Sequence, residues 1–236
     1  MRLDKAAALS GMTRTQARRA IAAGRVEVDG AVARDAAMQV DPAAVAVDGQ
    51  PVRAGEVYVM VYKPAGVVTA TEDGRLPTVT GLLPEAVQRR NPGPVGRLDR
   101  DVTGLVLMTT DGQLAHRLIS PRWKAEKVYR ARCEGRLTAS DVLQFERGVE
   151  LSDFTARPAG LEIIRAGDDE SLADVTLTEG KFHQVKRMFA AVGHPLIALK
   201  RLRIGCVTLD AALAPGECRM LTGDEVKGLK ALCGMR

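Results

Sequence analysis

Residues 94–112 read PVGRLDRDVTGLVLMTTDG. Asp99 stands between Arg97 and Arg100, with Asp101 just behind, and an apolar β-type run over 104–108 follows before Asp111-Gly112 signals a second turn. An acid flanked by bases on the lip of a buried strand is one way to hold an ionised carboxylate still. An Asp turn leading into a strand, with arginines as ordinary surface charge, accounts for the same residues without chemistry.

Downstream, DGQLAHRLISP predicts a short amphipathic helix with Leu114, Leu118 and Ile119 inward, and KVYRARCEG a strand. LTASDVLQFERGV predicts a helix capped by Thr138 with Asp141 three residues on. LEIIRA and SLADVTLTEG predict strands, KFHQVKRMFAAVG a helix ended by Gly193, and LIALKRLRIGCVTL strand again. Thr222 and Glu225 form a capping box for a last short helix. Upstream, EVYVMVYKPAG predicts a strand stopped by Pro64 and Gly66; a turn-rich segment over 69–94 holds one short helix near 79–83. Strands outnumber helices and no βαβ repeat is evident, so residues 56–236 predict a mixed, largely antiparallel α+β domain.

Residues 1–48 form a separate unit. A short helix around Leu3, Ala6, Ala7 and Leu9 precedes a second that Thr13 caps, on which Arg14, Arg18 and Arg19 cluster while Ala17, Ala20 and Ile21 face inward. RVEVDG then predicts a hairpin at Asp29-Gly30. Residues 49–55 are turn-rich and predict a linker.

Bulk properties bound the function. The 46% hydrophobic fraction supports a real core, and with aromatics at 3% that core must rest on Val, Leu, Ile and Ala. The net charge of +5 is modest but blocked: no acid lies between Glu179 and Asp210, a span holding Lys181, Lys186, Arg187, Lys200, Arg201 and Arg203, and from Arg117 to Arg132 the one acid Glu126 stands against Arg117, Arg122, Lys124, Lys127, Arg130 and Arg132. Such blocks suit a phosphate backbone as partner. Four cysteines without a CxxC pair predict no metal site and a reduced compartment. With no signal-like leader and no apolar run of membrane length, a cytoplasmic chain with no membrane partner is expected.

The N-terminal run TRTQARRAIAAGRVEVDG resembles the S4 RNA-binding domain. YKPAG, GRLDRDVTGLVLMTTDG, KVYRARCEG and EGKFHQVKRMFAAVGHP together resemble the RNA pseudouridine synthases, in the S4-bearing branch that acts on small-subunit 16S rRNA. The resemblance implies an isomerase that needs no cofactor and no metal, working on a uridine turned out of its stack. It implies Asp99, Tyr129 and Lys186 as catalytic residues: Asp99 attacking the substrate or taking a proton from the sugar, Tyr129 packing on the base, Lys186 pairing with Asp99. Many relatives carry Arg at the Lys186 position, so Lys is a departure, and Arg187 is the competing partner. Arg97, Arg187, His183, Arg14, Arg18 and Arg19 are expected to bind RNA, and Trp123 to stack on a nucleotide or pack in the core. The expected partner is 16S rRNA or a small-subunit assembly intermediate, with the protein a monomer. The alternatives are the same chemistry on 23S rRNA, and a non-catalytic rRNA-binding assembly factor.

Overall fold

A computed structural model describes residues 1–52 and 55–235, in two compact units. The first comprises residues 1–57 with 83–92. Its helices are α1 (Leu3–Ala8) and α2 (Arg14–Ala22), and Thr13 and Gln16 close a capping box on α2. Strands β1 (Val26–Val28), β2 (Ala31–Val32), β3 (Val45–Val47) and β4 (Gln50–Pro51) form a sheet in the order β2-β1-β3-β4. Small residues on the inward faces (Ala6, Ala7, Ala17, Ala20) let both helices approach the valines of β1 and β3 closely, with Leu3 and Ile21 filling the remaining space. Within the expected linker, Gln50 and Pro51 pair with β3 and Val52 is buried, while Arg53 and Ala54 lie outside the described residues. A short helix α3 (Glu85–Gln88), unforeseen in a segment read as turns, also belongs to this unit.

The second unit, residues 58–82 with 93–236, is built on one mixed sheet. Its strands are β5 (Tyr58–Lys63), β6 (Gly93–Pro94), β7 (Thr103–Thr109), β8 (Lys127–Glu134), β9 (Gly160–Ala166), β10 (Glu170–Leu177), β11 (Leu196–Ile204), β12 (Val207–Thr208) and β13 (Cys218–Met220). The order is β13-β5-β7-β11-β8-β10-β9, with β6 paired to β7 and β12 to β11. Every strand pair is antiparallel except β7 with β11. Helices α4 (Gly112–Ile119) and α7 (Gly223–Leu232) cover one face, where Leu114, Leu118 and Leu229 pack on Met60, Leu105, Leu107 and Ile204. Helices α5 (Ala139–Arg147) and α6 (Gln184–Ala191) meet edge-to-face through Phe145 and Phe189, ring centroids 5.1 Å apart. The segment expected to be a helix near 79–83 is a single 3₁₀ turn over Thr80–Leu82. No helix among the described residues is long and apolar enough to cross a membrane.

A single row of residues crosses five strands of this sheet. Lys63, Gly104, Arg201, Tyr129 and Val175 are mutual partners across β5, β7, β11, β8 and β10. Leu105 points into the α4–α7 core, so by strand alternation its neighbour Gly104 belongs to the opposite face. Gly104 is obligatory: its φ is +107°, and a Cβ would sit 2.2 Å from the Arg201 carbonyl oxygen.

Candidate active site

The loop between β6 and β7 carries Asp99, and its backbone is fastened from several directions. Thr69 Oγ1 donates to the Leu98 carbonyl at 2.8 Å and accepts the Leu98 N–H at 3.1 Å. Arg201 Nη1 reaches the Arg97 carbonyl at 3.5 Å. The Arg100 carbonyl accepts from the Gly66 N–H at 2.8 Å and from Lys63 Nζ at 3.2 Å. The Val102 N–H closes the turn on the Asp99 carbonyl at 3.2 Å. Residues on either side of Asp99 are thus pinned, while its own carboxylate, 31% exposed, stays accessible.

Three side chains gather on that carboxylate's side of the sheet. Lys186 Nζ, from the first turn of α6, lies 3.3 Å from Asp99 Oδ2 and 2.7 and 2.8 Å from the two oxygens of Asp101. Burial disfavours the Lys186 charge, but Asp101 and Asp99 outweigh it and hold its pKa above the usual ammonium value. The hydrogen bond from Lys186 correspondingly holds Asp101 below the usual carboxylate range. His183 Nε2 is 3.4 Å from Asp99 Oδ2. Tyr129, only 8% exposed, borders the same cleft, and Arg201 Nη1 donates to its hydroxyl at 3.4 Å. The cleft opens to solvent between Asp99, Tyr129, Leu199 and the start of α6.

The start of α6 differs from the sequence expectation. The helix begins at Gln184 rather than Lys181, because residues 181–184 form a tight turn clipped by the Gln184 amide. Gln184 Oε1 accepts the Lys181 N–H at 2.9 Å, and Nε2 donates to the buried Glu179 carboxylate at 2.6 Å. His183 sits at the helix entry in the left-handed region, φ 50°. A single buried amide therefore sets where His183 and Lys186 stand relative to Asp99.

Of the expected residues, Asp99, Tyr129, Lys186, His183 and Arg97 all border the cleft. Arg187 turns away, paired with Asp153 and bonded to Ser152 Oγ at 3.2 Å, so Lys186 is the α6 cation beside Asp99. Trp123 does not line the cleft; Arg117 and Arg122 lie over its ring at 4.9 and 5.8 Å. Arg14 and Arg18 are in the first unit, both on the buried carboxylate of Asp4, at 3.3 and 3.0 Å, and Arg19 is exposed beside them.

The basic blocks of the sequence are not uniform surface charge. Arg201, which falls within one of them, is 2% exposed and serves the site from within. Others are matched by acids distant in sequence: Arg130 with Asp174, Arg132 with Glu170, Arg203 with Glu126 and Arg187 with Asp153. Site-shaping residues that sequence reasoning missed are Lys63, Thr69 and Arg201. Lys63 at the end of an apolar strand, and Arg201 in phase with buried Leu199, carried a signal; Thr69 carried none.

The chain that carries this geometry is similar to known proteins in sequence and in fold. Residues 1–45 match the S4 domain, and residues 57–191 match the RNA pseudouridylate synthase family. Over 96% of the chain it is 46% identical to the Ribosomal small subunit pseudouridine synthase A of Escherichia coli K12, covering 98% of that protein. It is 44% identical to the Uncharacterized RNA pseudouridine synthase YtzG of Bacillus subtilis, over 96% of this chain and 97% of the other. A solved structure described as a pseudouridylate synthase superposes with a TM-score of 0.69 at 34% identity, covering 97% of this chain and 99% of its own. Since the match takes in the Asp99 loop, β8 and α6 alike, the chain belongs to the RNA pseudouridylate synthase family and carries an S4 domain ahead of the synthase domain.

Proposed function

We propose that this protein isomerises a specific uridine of 16S ribosomal RNA to pseudouridine, with Asp99 as the group that acts on the sugar. The observation that carries the reading is the Asp99 carboxylate, held on a pinned loop 3.3 Å from Lys186 and sharing a cleft with Tyr129. The small-subunit target is supported by the naming of relatives such as the E. coli protein.

The reaction breaks the bond from C1′ to N1, turns the base, and forms a bond from C1′ to C5. One proton leaves C5 and one is gained at N1, so no oxidant or second substrate enters. Charge deficiency develops at the sugar as the first bond breaks, and a fixed carboxylate meets it without waiting for solvent to reorganise. Asp99 serves either by adding to the sugar or by taking a proton from it. Lys186 keeps the carboxylate aimed, 3.3 Å from its Oδ2, and Tyr129 supplies a flat wall for the base with its hydroxyl near the base carbon that loses its proton. A stacked uracil cannot enter such a cleft, so the uridine is turned out of the RNA. Residues 1–48, with Arg14, Arg18 and Arg19, would grip RNA, while residues 56–236 carry the chemistry, aided at the cleft mouth by Arg97 and His183.

Asp99→Asn should leave rRNA binding nearly intact and abolish pseudouridine formation in purified 16S rRNA. Retained turnover in that variant would remove Asp99 from the mechanism. Mapping pseudouridines in rRNA from cells with and without the protein tests the target; a missing modification in 23S rather than 16S rRNA would refute the small-subunit assignment.

A further inference from the structure

Phe182 is the most exposed large hydrophobic side chain among the described residues, at 76%. The chain has four phenylalanines, and the other three are accounted for. Phe145 and Phe189 pack together in the core, and Phe154 lies under Lys181 Nζ, 3.4 Å from its ring centroid. Phe182 is instead laid against the imidazole of His183, centroids 3.8 Å apart and planes 18° from parallel. The backbone that displays both rings is fixed by the Gln184 clip and by the left-handed conformation of His183. His183 Nε2 is in turn 3.4 Å from Asp99. A stack of two flat rings therefore starts at the reactive carboxylate and ends with an open face in water.

An open π-face held rigid beside a nucleic-acid site takes another flat ring, and RNA bases supply one whatever their sequence. When a uridine leaves its stack, the bases on either side lose a neighbour, and one of them must be accommodated at the lip of the cleft. We propose that Phe182, backed by His183, is a stacking platform for a nucleobase adjacent to the target uridine. The subsite rests on the reading that Asp99 receives a turned-out uridine of ribosomal RNA.

The test compares wild type with Phe182→Leu, which keeps apolar bulk without a flat ring, and Phe182→Trp, which keeps the ring. Substrates are rRNA fragments holding the target uridine, intact or with an abasic nucleotide replacing each neighbour in turn. On intact RNA, Phe182→Leu should raise KM by about tenfold with kcat nearly unchanged, and Phe182→Trp should not. On the RNA lacking the one base that uses the platform, wild type and Phe182→Leu should become equal. A wild-type KM for Phe182→Leu, or an identical loss on every substrate, would overturn the platform. Wild type is first assayed on 16S and 23S rRNA, and the fragments are cut from whichever it converts. Conversion of 23S alone thus rejects the 16S target while the platform is still judged, and conversion of neither rejects both.

Discussion

Lys63 and Arg201 are cations taken out of water and held mainly by carbonyl oxygens. Lys63, fully buried, donates to the carbonyls of Pro64, Val67 and Arg100 at 2.9, 2.8 and 3.2 Å. Burial pushes its pKa down to about 8; nearby Asp101 and Asp99 oppose the shift and Arg201 adds to it. Between about 8 and the ordinary value of 10.5, the unfolded chain therefore holds a proton that the folded chain has released. Stability contributed by this group should rise with pH across that window. Lys63→Met lacks the effect and strands the Pro64 and Val67 carbonyls, while Arg100 keeps its bond from Gly66, costing about 1–3 kcal/mol at neutral pH. In urea unfolding its deficit relative to wild type should widen from pH 8 to pH 10; a constant deficit would show that Lys63 titrates as an ordinary lysine. Lys186 makes the contrasting case of a cation matched by carboxylates. Lys186→Met should lower kcat by on the order of 100-fold while the RNA dissociation constant moves much less. Equal losses in both would make Lys186 an RNA ligand rather than a partner of Asp99.

At the scale of elements, the parallel contact of β7 with β11 decides whether the site exists. Arg201 reaches Arg97 and Tyr129 only because β11 passes close over Gly104. Gly104→Ala places a methyl against backbone at a φ that disfavours any side chain, and should cost about 3 kcal/mol in chemical denaturation with loss of activity. An unperturbed Gly104→Ala protein would mean that β11 can shift without harm. The strands and helices around this contact were legible because alternation and capping are local: the apolar run of β7, the Thr138–Asp141 box and the Thr222–Glu225 box all stand as expected. What stayed hidden depends on partners far apart in the chain. Arg201 needs β8 and the Asp99 loop beside it to become an interior residue, and Thr69 acts on a loop 29 positions away. The start of α6 is hidden for the same reason, since the Glu179 carboxylate and the Gln184 amide together override helix propensity over residues 181–183.

Over the whole molecule, a net charge of +5 understates what is available to RNA, because the positive charge is distributed by pairing rather than by sequence blocks. In the synthase unit several arginines are neutralised by acids on a neighbouring strand or, for Glu126, just ahead of one. In the S4 unit the arrangement is the reverse. One buried carboxylate, Asp4, serves Arg2, Arg14 and Arg18, so three guanidiniums against one acid leave two positive charges uncompensated. The hydrogen bonds from Arg2, and then from Arg18 and Arg14, hold the Asp4 carboxyl far below its usual range despite burial. Asp4 thus fixes the arginines in place without cancelling them, and Arg14 and Arg18 remain 58% exposed. Two variants separate anchoring from contact. Arg19→Gln should reduce the slope of log binding constant against log salt by about 0.7–1 while leaving Tm unchanged. Asp4→Asn should lower Tm and weaken rRNA binding together, since the arginines lose their common anchor. If Arg19→Gln leaves the salt slope unaltered and Asp4→Asn affects only Tm, the α2 face does not meet phosphate, and the RNA must be held by the synthase unit alone.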